Sequence, residues 1–201
     1  VCSEAYVVVS GRGELHALTT SGASITPLDV GTVAWFSPGT VHRAVNVDDL
    51  KVIVVMGNGG LPEAGDAVLT FPPEILRDPE RYAAATALDP RDLEGSARRR
   101  RDLAVAGYLD LVERVRRGDR EALDEFYECA AALVRPKISH WRGLITSGPA
   151  RAVAETLGHL DTLESNDLTH FDTAAVEVRE PPKPADRSFG MCGRLDTYPL
   201  S

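Results

Sequence analysis

Between residues 4 and 58 the chain offers six short runs of strand-like composition, and almost nothing separates them. Residues 5–9, 14–19, 25–30, 32–36, 42–47 and 51–56 are rich in β-branched or aromatic side chains or alternate polar with apolar. The breaks are Gly11-Arg12-Gly13, Asp29-Val30-Gly31, Ser37-Pro38-Gly39 and Asp48-Asp49, all turn chemistry. A parallel βαβ crossover takes a dozen or more residues, which these gaps do not supply. An antiparallel sandwich or barrel is what such spacing allows. Gly57-Asn58-Gly59-Gly60 has neither the glycine spacing nor the following helix of a dinucleotide site.

After Pro62 the texture changes. Residues 73–85 read as a short helix in two pieces. Across 92–117, Ala104, Tyr108, Leu111 and Val115 make one stripe of 3.6-residue period, and Gly118 stops it. Asp119 can cap a second helix striped by Ala122, Phe126, Cys129 or Ala130, and Leu133, with Pro136 ending or bending it. The two stripes predict an αα-hairpin, since neither tolerates water alone. A further helix is expected from 149 to about 162, then a strand-like stretch at 174–178, a Pro-Pro-Lys-Pro linker and an extended tail. The predicted organisation is a β-barrel portion at 1–73, a helical region at 74–165, and strands within 166–201 that return to the barrel.

Composition narrows the function classes. A formal charge of -8, from 30 acidic and 22 basic residues, disfavours a nucleic-acid partner. The run Arg98-Arg99-Arg100-Arg101 is a local exception, read as a solvated helix turn or as a basic patch for a phosphate or partner. Three widely spaced cysteines without a C-x-x-C pair suit reduced thiols and a cytoplasmic protein. No run of about 18 apolar residues spans a bilayer, so no membrane role is expected. A homodimer is expected from the sheet such a β-rich part leaves uncovered.

Chemistry is concentrated near residue 4 and residue 42. With a strand period of two, Glu4, Tyr6, Val8 and Ser10 share one face, and His42, Ala44 and Asn46 share another. If the two strands are neighbours, Glu4 and His42 converge inside the sheet. A carboxylate and an imidazole at one point begin a divalent metal site for Fe, Mn, Ni or Zn, although such a site takes three or more protein ligands. Tyr6, Asn46 and His16 are candidate contacts to a small-molecule substrate, with plain packing as the competing role. Cys2 lies on the Glu4 face, where an inert buried thiol competes with a ligand role.

These residues also carry a resemblance. Residues 31–46, GTVAWFSPGTVHRAVN, resemble the second signature of the cupin family, with Gly39, His42 and Asn46 in register and Ser37 where the family's proline usually falls. Glu4, six intervening residues and Gly11 are similar to the end of the first signature. The resemblance implies a mainly β, antiparallel jelly-roll barrel with helical elaboration. It implies Glu4 and His42 as metal ligands, with two first-motif histidines expected before Val1. The chain begins inside a strand, which is read as loss of an N-terminal segment; a degenerate member with a weak site is the alternative. The implied function is a metal-dependent enzyme acting on a small organic molecule. Dioxygenase-type oxidoreduction comes first, isomerisation or epimerisation second, and non-enzymatic small-molecule binding remains as a further reading.

Overall fold

The computed structural model describes residues 1–57, 59–183, 186–191 and 193–198. In element order it has β1 (Glu4–Thr19), β2 (Gly22–Leu28), β3 (Val33–Phe36) and β4 (Val41–Met56). Helices α1 (Pro73–Leu76), α2 (Pro79–Thr86), α3 (Leu93–Arg116), α4 (Ala122–Val134), α5 (Ile138–Ser147) and α6 (Pro149–Glu164) follow. Two short strands, β5 (Ser188–Phe189) and β6 (Arg194–Leu195), come last. Helix, 3-10 turns included, accounts for 43% of the described residues and strand for 24%. The expected mainly β architecture is therefore wrong, and no jelly-roll barrel closes among the described residues.

What forms instead is an open antiparallel sheet built on β1. One edge of β1 pairs with β4 along nearly its whole length, while the other edge takes β3 beside residues 4–7 and β2 beside residues 13–19. The Gly11-Arg12-Gly13 and Asp48-Asp49 segments, predicted as chain reversals, are irregularities within two long strands. Three register shifts fall between Val8 and Gly13. Gly11 adopts φ +68°, and a Cβ there would stand 2.2 Å from the carbonyl oxygens of both Asp48 and Asp49, so only glycine fits. Opposite it, Asp49 also has positive φ, and the Asn46 side chain accepts the Leu50 N–H at 3.0 Å, holding the bulge.

These irregularities bend the sheet back on itself. Tyr6 and Val8 from one half pack with Leu15 and Leu28 from the other, and Phe36 closes the cluster. On the convex side Leu18 and Val41 pack against Tyr108, Leu111 and Val112 of α3 and Ala122 and Leu123 of α4. Of the α3 stripe read from the sequence, Tyr108, Leu111 and Val115 are laid on the sheet, while Ala104 packs with Phe71 and Leu76. Asp92 caps α3 through the Gly95 N–H at 3.0 Å, and the Asp119 carboxylate takes the N–H groups of Glu121 and Ala122 ahead of α4. Gly107 lets the segment before α1 cross α3 closely, since a Cβ there would meet the Thr70 carbonyl at 2.1 Å.

Pro136 bends the chain rather than ending it. A 3-10 turn over Arg135–Lys137 leads directly into α5, a helix not foreseen. α5 then fastens the loop after β4: Trp141 Nε1 donates to the Ala64 carbonyl at 3.2 Å and Lys137 Nζ to that of Gly65 at 3.1 Å. The stretch at 174–178 forms no strand, and Val176 is 91% exposed. The tail strands β5 and β6 pair with each other and not with the β1–β4 sheet. Among the described residues no helix is long and apolar enough to cross a membrane.

Candidate functional site

Glu4 sits at the start of β1, opposite Phe36 of β3 and Met56 of β4; His42 opposes Ala17 at the far end of the same strand. In a straight strand the run from Glu4 to Ala17 would span about 43 Å at about 3.3 Å per residue. Because the sheet bends, His42 Nε2 lies only 3.7 Å from Glu4 Oε2. Both side chains are largely withdrawn from solvent, at 18% and 13% exposed. The glycine-dependent bend thereby makes the site.

The surroundings fix both groups. His42 Nδ1 lies 3.1 Å from the Thr40 carbonyl, which only accepts, so Nδ1 carries the proton and donates. In the neutral ring Nε2 then presents its lone pair on the side where Glu4 lies. Phe36 stacks on the imidazole with centroids 4.5 Å apart, and the fully buried Tyr6 meets both rings edge-on. Burial raises the Glu4 carboxyl above its ordinary range; His42 pulls it down, Asp66 pushes it further up, and a hydrogen bond from Tyr6 opposes the rise. The direction that prevails is upward.

Asp66 was not singled out from the sequence, yet its carboxylate is only 4% exposed and acts on Glu4. It accepts from the Cys2 thiol at 3.0 Å and pairs with the Val1 ammonium at 3.1 Å. Cys2 is pushed up to about 12, first by burial and then by the Asp66 hydrogen bond. Its thiol stays protonated and serves as a donor, not as a nucleophile or thiolate ligand. No spacing signal marks Asp66; it lies in an irregular loop, held by its own N–H to the Leu61 carbonyl at 3.2 Å and by the contacts of Trp141 and Lys137 to Ala64 and Gly65.

Of the five candidates, the fold brings together Glu4, His42 and Tyr6. His16 and Asn46 lie elsewhere. The shifts between Val8 and Gly13 move the concave set from Tyr6 and Val8 to Gly13 and Leu15, so His16 faces the helices. There its Nε2 meets Glu14 at 2.7 Å and its Nδ1 lies 3.4 Å from Arg43, whose guanidinium rests over Tyr108. Asn46 is exposed and occupied by the bulge.

As a metal site the donor set is partial. Oxygen and imidazole nitrogen suit Fe, Mn, Ni or Zn, and the Nδ1–H anchor on a carbonyl is the usual support of a ligating histidine. Two donors fall short of the three or more that a resident centre takes, and no third His, Cys, Asp or Glu joins them among the described residues. No family model, curated protein or solved structure matches the chain.

Proposed function

We propose that the concave side of the bent sheet binds a small polar organic molecule against the Glu4–His42 pair, with Glu4 able to exchange a proton with it. The observation that carries this reading is the 3.7 Å approach of a desolvated carboxyl to an imidazole whose second nitrogen is already engaged. A carboxyl raised above its ordinary range changes charge nearer to physiological pH, as a general acid or base must. Isomerisation or epimerisation, in which a proton leaves and returns at carbon, is the reaction class such a pair serves. Binding without chemistry would use the same contacts. Phe36 and Tyr6 supply the apolar wall that excludes water and orients the imidazole.

A second reading is favoured by the His42 tautomer. With Nδ1–H held by Thr40, Nε2 is free to join Glu4 on a divalent cation. Glu4 and His42 would hold it, and a bound cation would supply Lewis acidity to an oxygen of the ligand. The pair fits only part of such a centre, so dioxygenase-type chemistry is not developed further.

The test is an NMR binding screen of small hydroxy acids, keto acids and sugars against the wild type, Glu4→Gln and His42→Ala, with calorimetric titrations of Zn²⁺, Mn²⁺, Ni²⁺ and Fe²⁺ in parallel. Compounds that bind the wild type and neither variant support the proposal. Ligands that bind all three proteins equally refute it. Cation binding that His42→Ala abolishes favours the second reading.

A further inference from the structure

The four consecutive arginines are not used by the Glu4–His42 site, and their partners are informative. From residue 89 to 102 the sequence holds five arginines and four carboxylates. Arg91 pairs with Asp89, Arg98 with Glu94, Arg99 with Asp92 and Arg101 with Asp102. Arg100 is left over, with no carboxylate among the described residues. It is also the half-buried member of the run. Its Nη1 donates to the Thr86 carbonyl at 3.2 Å and its Nη2 to the Gly190 carbonyl at 2.6 Å, both neutral acceptors. Burial pulls this guanidinium below its ordinary range, partly offset by Tyr82, yet a guanidinium stays charged in proteins. A positive charge is thus partly withdrawn from water with no carboxylate paired to it among the described residues, an arrangement that costs stability unless something compensates it.

That charge borders a cavity. An open cleft of about 430 Å³ lies between the end of α2 and the start of α3, and both Arg99 and Arg100 line it. Ala84, Ala85, Leu88 and Leu103 form its apolar wall. The volume is within the range of small-molecule sites, about 300–1,000 Å³, where apolar walls and a few placed polar groups are the rule. Asp89 and Ser96 also line the cleft, but Asp89 is paired with Arg91 and Arg99 with Asp92, so the charge left uncompensated there is that of Arg100, which selects an anion that has an apolar body. A carboxylate fits the planar fork of arginine better than a compact ion does.

We propose that this cleft binds a small organic carboxylate, with its acid group on Arg100 and its apolar body against Leu88 and Leu103. The ligand replaces the Gly190 carbonyl on Nη2, exchanging a neutral acceptor for a charged one that adds ion pairing to the hydrogen bond. The exchange also frees the β5–β6 hairpin from one of its ties to α3; another is Arg194 to Glu94 at 3.6 Å.

Benzoate is a suitable probe and benzyl alcohol its uncharged counterpart. Titration of the whole chain, followed by amide shifts and by calorimetry, is expected to show saturable benzoate binding centred on residues 84–103 and none for the alcohol. Arg100→Gln is expected to weaken benzoate by at least about tenfold, the loss of one charge-assisted contact. Ala84→Trp fills the cleft from an exposed helix position and is expected to abolish binding without touching the arginine. Arg101→Gln, whose partner Asp102 lies outside the cleft, is expected to leave affinity unchanged. Should Arg100→Gln fail to fold, Ala84→Trp and the map of shifted amides decide. Absence of saturable benzoate binding in the wild type, equal affinity for the alcohol, or unchanged affinity in Ala84→Trp each overturns the proposal.

Discussion

Replacing Gly11 with alanine strikes the element on which the site depends. The glycine has φ +68°, and an added methyl carbon would lie 2.2 Å from two backbone oxygens, Asp48 O and Asp49 O. Neither is the tip of a flexible side chain, so the strands must part. An alanine in the left-handed region costs about 1–2 kcal/mol, and forcing an extra carbon into a packed position costs about 1–3 kcal/mol more. A total of about 3 kcal/mol is expected, a fall in Tm of about 6–12 °C for a chain of this size. Gly31→Ala is the matched control. Gly31 has φ +89°, but its Cβ would meet nothing within 4 Å, so only the backbone cost of about 1–2 kcal/mol applies. Urea and thermal unfolding followed by circular dichroism read the difference. If Gly11→Ala loses no more stability than Gly31→Ala, the close strand contact at the bend is not real and the derivation of the site from it fails.

Leu18 is fully buried between the sheet and α3, and Leu18→Ala is expected to cost about 2–5 kcal/mol in the same unfolding assay; a loss below about 1 kcal/mol would contradict the packing of β1 on α3. Glu4 has a raised carboxyl in the folded chain, so the folded state holds its proton to higher pH than the unfolded one. The Glu4 contribution is therefore least unfavourable below its ordinary range, and stability falls as pH rises through the window between the ordinary and the raised values. Glu4→Gln should remove that slope, and the wild-type-minus-variant difference across about pH 4 to 8 measures it; a difference of the opposite sign counts against a buried carboxyl. Cys2, held near 12 beside Asp66, should alkylate slowly with iodoacetamide at neutral pH and faster in Asp66→Asn; equal rates would remove Asp66 from its surroundings.

Local pattern carried some of this fold. The α3 stripe, the Gly118 stop and the Asp119 cap were legible because each is decided within a few residues of chain. Strand period put Glu4 and Tyr6 on one face, and their meeting with His42 rested on the further premise that the two strands are neighbours; the contact itself is made by the bend, which the sequence reading did not contain. The role of Gly11-Arg12-Gly13 was not legible, because a glycine at positive φ serves a chain reversal and a strand bend equally well; the pairing with Asp48 and Asp49, far along the chain, decides between them. The side His16 takes was not legible either: the register shifts between Val8 and Gly13 reset the side-chain alternation, so the face of residues 4–10 does not carry on to residue 16. Pro136 reads as a helix end, yet its missing N–H is tolerated at the start of a new turn, which is how α5 follows. Asp66 left no periodic trace at all.

The most direct measurement is a double-mutant cycle on Glu4 and His42, with Glu4→Gln, His42→Ala and the double variant unfolded in urea at about pH 6. Side chains that meet across the bent sheet should show a coupling of at least about 0.5 kcal/mol. Additive losses would mean that the start of β1 and the start of β4 do not meet across the bend, and the carboxyl–imidazole site would not exist.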